Sequence, residues 1–285
     1  MEYEKQGDSG LYTRDYFDSL LVETRYIDSG EPDTSFAIYG KKFTSPIMVS
    51  MPANLEDVHK TDVIETAREA EKAGVLCWIG TEEKEKLSEI SATGVAAIKI
   101  IRPYADNKVV FSQIEQAQKC GALAVGIDLS CGLGKEEASK SMEEIREFVS
   151  AASVPFIVKG ILSKKDAYKC AMAGVGGIVM SAHDSLLRYT VSPFMSLPDV
   201  LKAVDVRIPV FVDCEIRSGL DVFKALASGA TAVFMKRVFA ESPGANGTKD
   251  FFEKISNMNN ELKSFMAQTG CHNLLHMDKT VLWQI

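Results

Sequence analysis

Short, nearly continuous apolar runs alternate with segments of helical period along most of the chain. The runs are Ile47–Met51, Val75–Ile79, Ala96–Ile101, Leu123–Ile127, Pro155–Val158, Gly177–Met180, Val210–Val212 and Ala232–Met235. Apolar character without alternation is the pattern of strands covered on both faces. Between the runs, Thr61 precedes a helical segment at Asp62–Ala73, stopped by Gly74. Ser163 starts Lys164–Ala173, which stops at Gly174, and in Ser218–Ser228 the residues Val222, Phe223, Leu226 and Ala227 share one face before Gly229. Hydroxyl starts and glycine stops are ordinary helix punctuation. The phrases AREAEKAGV, IEQAQKCGA, AYKCAMAGV and VFKALASGA repeat this punctuation from unit to unit, as any strand–helix array must. Eight such units predict an α/β fold, a single (β/α)8 TIM barrel over 45–285, with a short N-terminal extension over 1–44. In the extension, Leu11–Leu21 reads as a short helix and Phe36–Phe43 as a hairpin around Gly40; the segment is expected to close the barrel bottom. Lys249–Thr269 reads as a long amphipathic closing helix.

Composition narrows the function. The 285 residues suit one barrel of roughly 250 residues plus an extension. A net charge of −7 argues against a nucleic-acid partner, because phosphate backbones call for basic patches. No apolar run approaches about 18 residues, so no membrane span is expected. Met1–Asp8 is acidic and polar and does not read as a signal peptide. The cysteines at 77, 120, 131, 170, 214 and 271 form no CxxC pair, so no metal site is expected. They read as reduced and mostly buried, which fits a cytoplasmic protein; Cys214, at a strand end, is either a packed or a reactive thiol. Apolar helix faces permit a homo-oligomer.

The chemistry-bearing residues gather at strand ends. Lys159, His183, Asp213, Arg217, Lys236 and Arg237 follow consecutive apolar runs, and barrels place their active sites at the carboxyl ends of their strands. An imidazole such as His183 suits a base near neutral pH. Asp128, after the fourth run, could orient His183 or accept a ligand hydroxyl. Tyr104 and Tyr189 are placed on loops of the same rim, and Glu82–Lys86 reads as a solvated helix start. His59, His272 and His276 have no metal-ligand spacing.

At these strand ends the chain resembles the FMN-dependent α-hydroxy acid dehydrogenase and oxidase family, from about Ser45 to the C-terminus and most strongly over Val154–Thr269. PFIVKG (Pro155–Gly160) resembles the family strand that carries a lysine, onto which Lys159 falls. SAH (Ser181–His183) resembles the start of S-N-H-G-G-R, whose histidine is the family's base. DCEIRSG (Asp213–Gly219) resembles D-G-G-x-R-x-G, which holds the flavin ribityl chain and phosphate. Lys236–Arg237 takes the place of a G-R step at the phosphate, and Phe265–Leu274 resembles the family's last helix and turn. The resemblance implies FMN as cofactor and a small-molecule substrate, a 2-hydroxy acid or related alcohol. It implies His183 and Lys159 as catalytic residues, and Lys159, Ser181, Asp213, Arg217, Lys236 and Arg237 as cofactor ligands. Asp128 is added to the catalytic residues from its place at the end of the fourth run, with Ser130 as the alternative position for the family's acid.

The chain also departs from that pattern. Leu186 stands where the family has a substrate-carboxylate arginine, with Arg188 two residues late. Asp184, Ser185, Cys214, Glu215 and Lys236 replace glycines, Ile100 replaces a flavin-ring glutamine, and the loop Leu129–Lys140 is short. A carboxylate about 5 Å from a phosphate costs roughly 3 kcal/mol per unit charge at an effective dielectric near 20. Glu215 is therefore expected to pair with Lys236 or Arg237 and fill the phosphate site itself. These substitutions keep a second reading open, a degenerate member that has lost FMN and acts as a binding or scaffold protein, or as a flavin-independent barrel enzyme using Lys159 and His183.

Overall fold

The computed structural model of the chain describes residues 9–51, 63–80, 84–130, 136–182, 189–205, 207–213, 215–235 and 247–285. The N-terminal segment contributes α1 (Ser9–Asp18), β1 (Leu20–Val22), β2 (Phe36–Ile38) and β3 (Lys41–Phe43). Then follow β4 (Ile47–Met51), α2 (Val63–Ala73), β5 (Cys77–Ile79), α3 (Lys84–Ala92), β6 (Ala97–Ile101) and α4 (Asn107–Lys119). The second half runs β7 (Ala124–Asp128), α5 (Met142–Ala151), β8 (Phe156–Lys159), α6 (Lys164–Ala173), β9 (Gly177–Met180) and α7 (Pro193–Val204). It ends with β10 (Val210–Asp213), α8 (Gly219–Ala227), β11 (Ala232–Met235), α9 (Gly247–Gln268) and β12 (Leu282–Gln284).

Strands β4 to β11 form a closed barrel, all neighbours parallel, with β11 pairing β4 to complete the ring. Alternate residues face inward. Met48, Trp78, Ile98, Ala124, Ile157, Val179, Phe211, Ala232 and Phe234 form one buried interior cluster. Trp78 lies edge-on to Phe234, with ring centroids 4.2 Å apart, and its Nε1 donates to Met48 Sδ. The β2–β3 hairpin contributes Phe36 and Phe43 to the same cluster. Tyr39 beside it donates to the Gly176 carbonyl just before β9, at 2.8 Å. A second, larger cluster fills the layer between barrel and helices. The helices face it as their sequences dictate: α2 buries Val63, Thr66, Ala67 and Ala70, one stripe of a 3.6-residue period.

Three strands run one residue further than their apolar runs. The ladder continues through Asp128, Lys159 and Asp213, which hydrophobicity alone had left outside it. Strand β8 starts at Phe156 rather than Pro155, as a proline has no N–H to give a ladder. The N-terminal helix is shorter than Leu11–Leu21, ending at Asp18, because Leu20–Val22 turns into β1 and pairs antiparallel with β12 at the other end of the chain. Helix α1 docks on α7 and α8: the Phe17 ring packs tilted against Phe194 with centroids 4.1 Å apart, Thr13 donates to Ser192 at 2.9 Å, and Lys224 donates to the Phe17 carbonyl at 2.7 Å. Among the described residues no helix is long and apolar enough to cross a membrane.

Candidate functional site

Because side chains alternate, the last residues of β7, β8 and β10 point into the barrel mouth above the aromatic layer. Register brings Lys159 directly beside Asp128. Its Nζ donates to Asp128 Oδ2 at 2.7 Å and lies 3.7 Å from Asp213 Oδ2. Ser130 donates to Asp128 Oδ1 through its backbone N–H, at 3.0 Å, and through its hydroxyl. Ser181, just beyond β9, donates to Asp213 Oδ2 at 3.1 Å. The carboxylate side chains are 5% and 6% exposed, and that of Lys159 16%. Asp213 Oδ1 is buried and has no hydrogen-bond partner among the described residues. An unsatisfied buried carboxylate oxygen costs on the order of 1–3 kcal/mol, so this atom marks a place for a donor.

Gly160 lets this cluster form. It follows Lys159 with φ +93°, and a Cβ there would lie 2.6 Å from the Ser130 backbone nitrogen. A side chain would push apart the two strand ends that hold Lys159 and Asp128.

The β10–α8 loop carries the second group of charges. Arg217 Nη2 donates to Glu215 Oε2, and the Glu215 backbone is left-handed, with φ +54°. Arg14 of α1 grips the loop from outside. Its guanidinium donates to both Asp221 oxygens, at 2.8 and 3.0 Å, and to the Glu215 carbonyl at 3.5 Å. These bonds to Asp221 raise the Arg14 pKa against the opposing effect of burial. Asp221 also accepts from the backbone N–H groups of Arg217 and Ser218, and it closes a capping box with Ser218 at the start of α8.

Ser130 and Ser181 also line a cavity of about 940 Å³ between the starts of α5 and α6. Its walls are largely apolar, with Leu129, Met142, Ile145, Ile161 and Leu162 among them. Concave, mostly apolar spaces of this size are typical of small-molecule sites. The Cys170 thiol on its wall is pushed up to about 12, chiefly by burial, and stays protonated near neutral pH.

Of the residues expected at the site, Lys159, Asp128, Ser181 and Asp213 come together in one network, and Arg217 stands on the neighbouring loop. His183, Lys236 and Arg237 lie outside the described residues, as do Asp184, Ser185, Leu186, Arg188, Cys131, Cys214, Glu82 and Glu83. Among the described residues Glu215 pairs with Arg217, two positions on in the same tight loop; the expected pairing with Lys236 or Arg237 lies outside the described residues. Ile100 points into the barrel and packs against the interior cluster. Arg14 was not singled out from the sequence; besides Asp18 on its own helix it bonds Asp221, 207 positions away and beyond any local signal.

The model of the FMN-dependent dehydrogenase family matches residues 6–141 and 131–284. The chain is 28% identical to glycolate oxidase 3 of Arabidopsis thaliana and 29% identical to glycolate oxidase of Spinacia oleracea. Each alignment covers 94% of this chain and 85% of the relative. Among solved structures, a mandelate oxidase variant with a monooxide FMN adduct superposes with a TM-score of 0.86 at 25% identity, covering 100% of this chain and 95% of the other. A second mandelate oxidase structure, with (S)-mandelic acid, gives a TM-score of 0.85 over 100% and 92%. With a closed eight-stranded parallel barrel and a family match over nearly its whole length, the chain belongs to the FMN-dependent dehydrogenase family.

Proposed function

We propose that the chain is a flavin-dependent oxidoreductase that oxidises a small 2-hydroxy acid or a related alcohol at the barrel mouth. The observation that carries this reading is the placement of the Lys159 ammonium between Asp128 and Asp213, beside an unsatisfied buried acceptor and an apolar cavity. The described residues fit one end of a flavin and not the other. Asp213 Oδ1 can accept from a sugar-chain hydroxyl, and Lys159 can offer positive charge to an anionic ring. At the phosphate end, Glu215 puts a carboxylate on the Arg217 guanidinium.

A bound flavin supplies the electron acceptor. The chain supplies the rest. Lys159 holds positive charge where the ligand becomes anionic, which a low-dielectric mouth strengthens. Asp128 and Ser130 fix the position of that ammonium. His183, two residues after Ser181, is assigned the role of base for the substrate hydroxyl proton. The apolar walls of the adjoining cavity hold the substrate's carbon chain and exclude water.

The test is titration of the purified chain with flavin, followed by fluorescence quenching, for wild type and for Lys159→Met and Asp213→Ala. Saturable quenching weakened by about tenfold or more in both variants supports the reading. Wild type without quenching contradicts it. The Glu215–Arg217 ion pair favours a second reading, a barrel that has given up flavin and binds another small molecule in the 940 Å³ cavity. That reading requires no quenching in any variant.

A further inference from the structure

We infer that Glu215 is a built-in occupant of the anion seat on the β10–α8 loop, so that this barrel selects its flavin by the ring and sugar chain and discriminates against the phosphate. The inference rests on the flavin reading of the site and adds its ligand class, a flavin with an uncharged tail.

The loop after the seventh barrel strand is where barrels commonly seat phosphate groups, with backbone N–H groups and a cation supplying the charge. Among the described residues the cation here is Arg217, whose guanidinium already donates to Glu215; Lys236 and Arg237 lie outside them. Four N–H groups of the loop and the first turn of α8 are taken as well. Those of Arg217 and Ser218 donate to Asp221 Oδ2, that of Gly219 donates to Glu261 Oε2 at 2.6 Å, and that of Asp221 donates to Ser218 Oγ. Among the described residues, an arriving phosphate therefore meets donors that are already engaged and a carboxylate that holds the guanidinium.

The glutamate is also held where it is at a cost. Its φ of +54° lies in the left-handed region, where a side chain with Cβ is strained. Arg14 secures the loop by bonding the Glu215 carbonyl and both Asp221 oxygens. Two residues before Glu215, Asp213 keeps a buried oxygen without a partner among the described residues. The end of β10 thus awaits a hydroxyl while the loop after it refuses an anion, which matches a polyol chain without a terminal phosphate.

The experiment compares FMN with riboflavin by fluorescence quenching on wild type, Glu215→Gln, Glu215→Gly and Glu215→Gly/Arg217→Met. A thermal-shift titration with inorganic phosphate runs alongside. Wild type is expected to bind riboflavin at least as tightly as FMN. Glu215→Gln and Glu215→Gly gain FMN affinity by about tenfold or more, with riboflavin changed by less than about threefold. The Arg217→Met change removes that gain. Phosphate raises the melting temperature of Glu215→Gly and not of wild type. Wild type binding FMN more than about tenfold tighter than riboflavin, or Glu215 variants that gain neither FMN affinity nor a phosphate response, overturns the inference. A phosphate response confined to the Glu215 variants, with neither flavin bound by any protein, upholds the occupied seat and removes the flavin reading instead.

Discussion

Lys159 is held 2.7 Å from Asp128 and faces Asp213 at 3.7 Å, with little access to water. Two carboxylates around one ammonium in a half-dry mouth are costly to leave unpaired. Replacing Lys159 by Met is expected to lower unfolding stability by about 3 kcal/mol in urea denaturation, and Lys159→Met with Asp128→Asn by less than the sum of the single changes, with a coupling of about 1–2 kcal/mol. Additive losses would show that the pair is electrostatically idle. These three residues were legible in the sequence, since each ends an apolar run at a position where a barrel gathers chemistry. Their mutual pairing was not, because strand register, which puts Lys159 opposite Asp128, is a product of closure rather than of either strand. For Glu215, the proposed conflict with a phosphate rests on charge, while its pairing with Arg217 depends on a left-handed loop geometry that a glutamate seldom adopts and was not legible.

Helix ends carry much of the local specification. Ser163 and Ser218 cap α6 and α8 as the sequence suggests, each accepting from the backbone N–H three residues on. Helix α5 has a further capping box: Ser141 accepts from the Glu144 N–H, and the Glu144 carboxylate accepts from the Ser141 N–H at 2.7 Å and from Asn107 Nδ2 at 2.8 Å. The Ser141 N–H and then Asn107 hold the Glu144 carboxyl below its ordinary range. A folded-state pKa below the unfolded one stabilises the fold above the unfolded value, and that contribution is lost as pH falls through the folded value. Glu144→Ala is expected to cost about 1 kcal/mol at neutral pH. The difference from wild type should close below about pH 4. A gap in melting temperature unchanged between neutral and acid conditions would refute this. Gly219 sets the contact of α8 with α9: a Cβ there would come 2.3 Å from the Met258 carbonyl oxygen and 2.6 Å from Glu261 Cβ. Gly219→Ala should therefore destabilise by about 1–3 kcal/mol, whereas ordinary glycine-to-alanine changes at helix starts are mild. The β1–β12 pair escaped sequence reading altogether, since it joins two three-residue strands from opposite ends of the chain.

On the scale of the whole molecule, the fold follows from pattern. Eight apolar runs with helical segments between them leave little choice but a closed parallel ring, and alternation then divides each strand between an inner aromatic filling and an outer helix layer. Phe211 is fully buried in the inner filling against Trp78 and Phe234. Phe211→Ala should cost about 3–5 kcal/mol of unfolding free energy, because the rigid ring of strands cannot collapse around the cavity left behind. The closed ring is also what makes a single mouth out of residues as distant in sequence as Asp128 and Asp213, and the chemistry assigned to that mouth is the centre of the account. Its most direct test is anaerobic mixing of the flavin-loaded protein with a panel of small 2-hydroxy acids while the visible flavin absorbance is followed. The account predicts bleaching by at least one member of the panel, abolished in His183→Ala and slowed in Lys159→Met; flavin that stays bound and fully coloured with every member would contradict it.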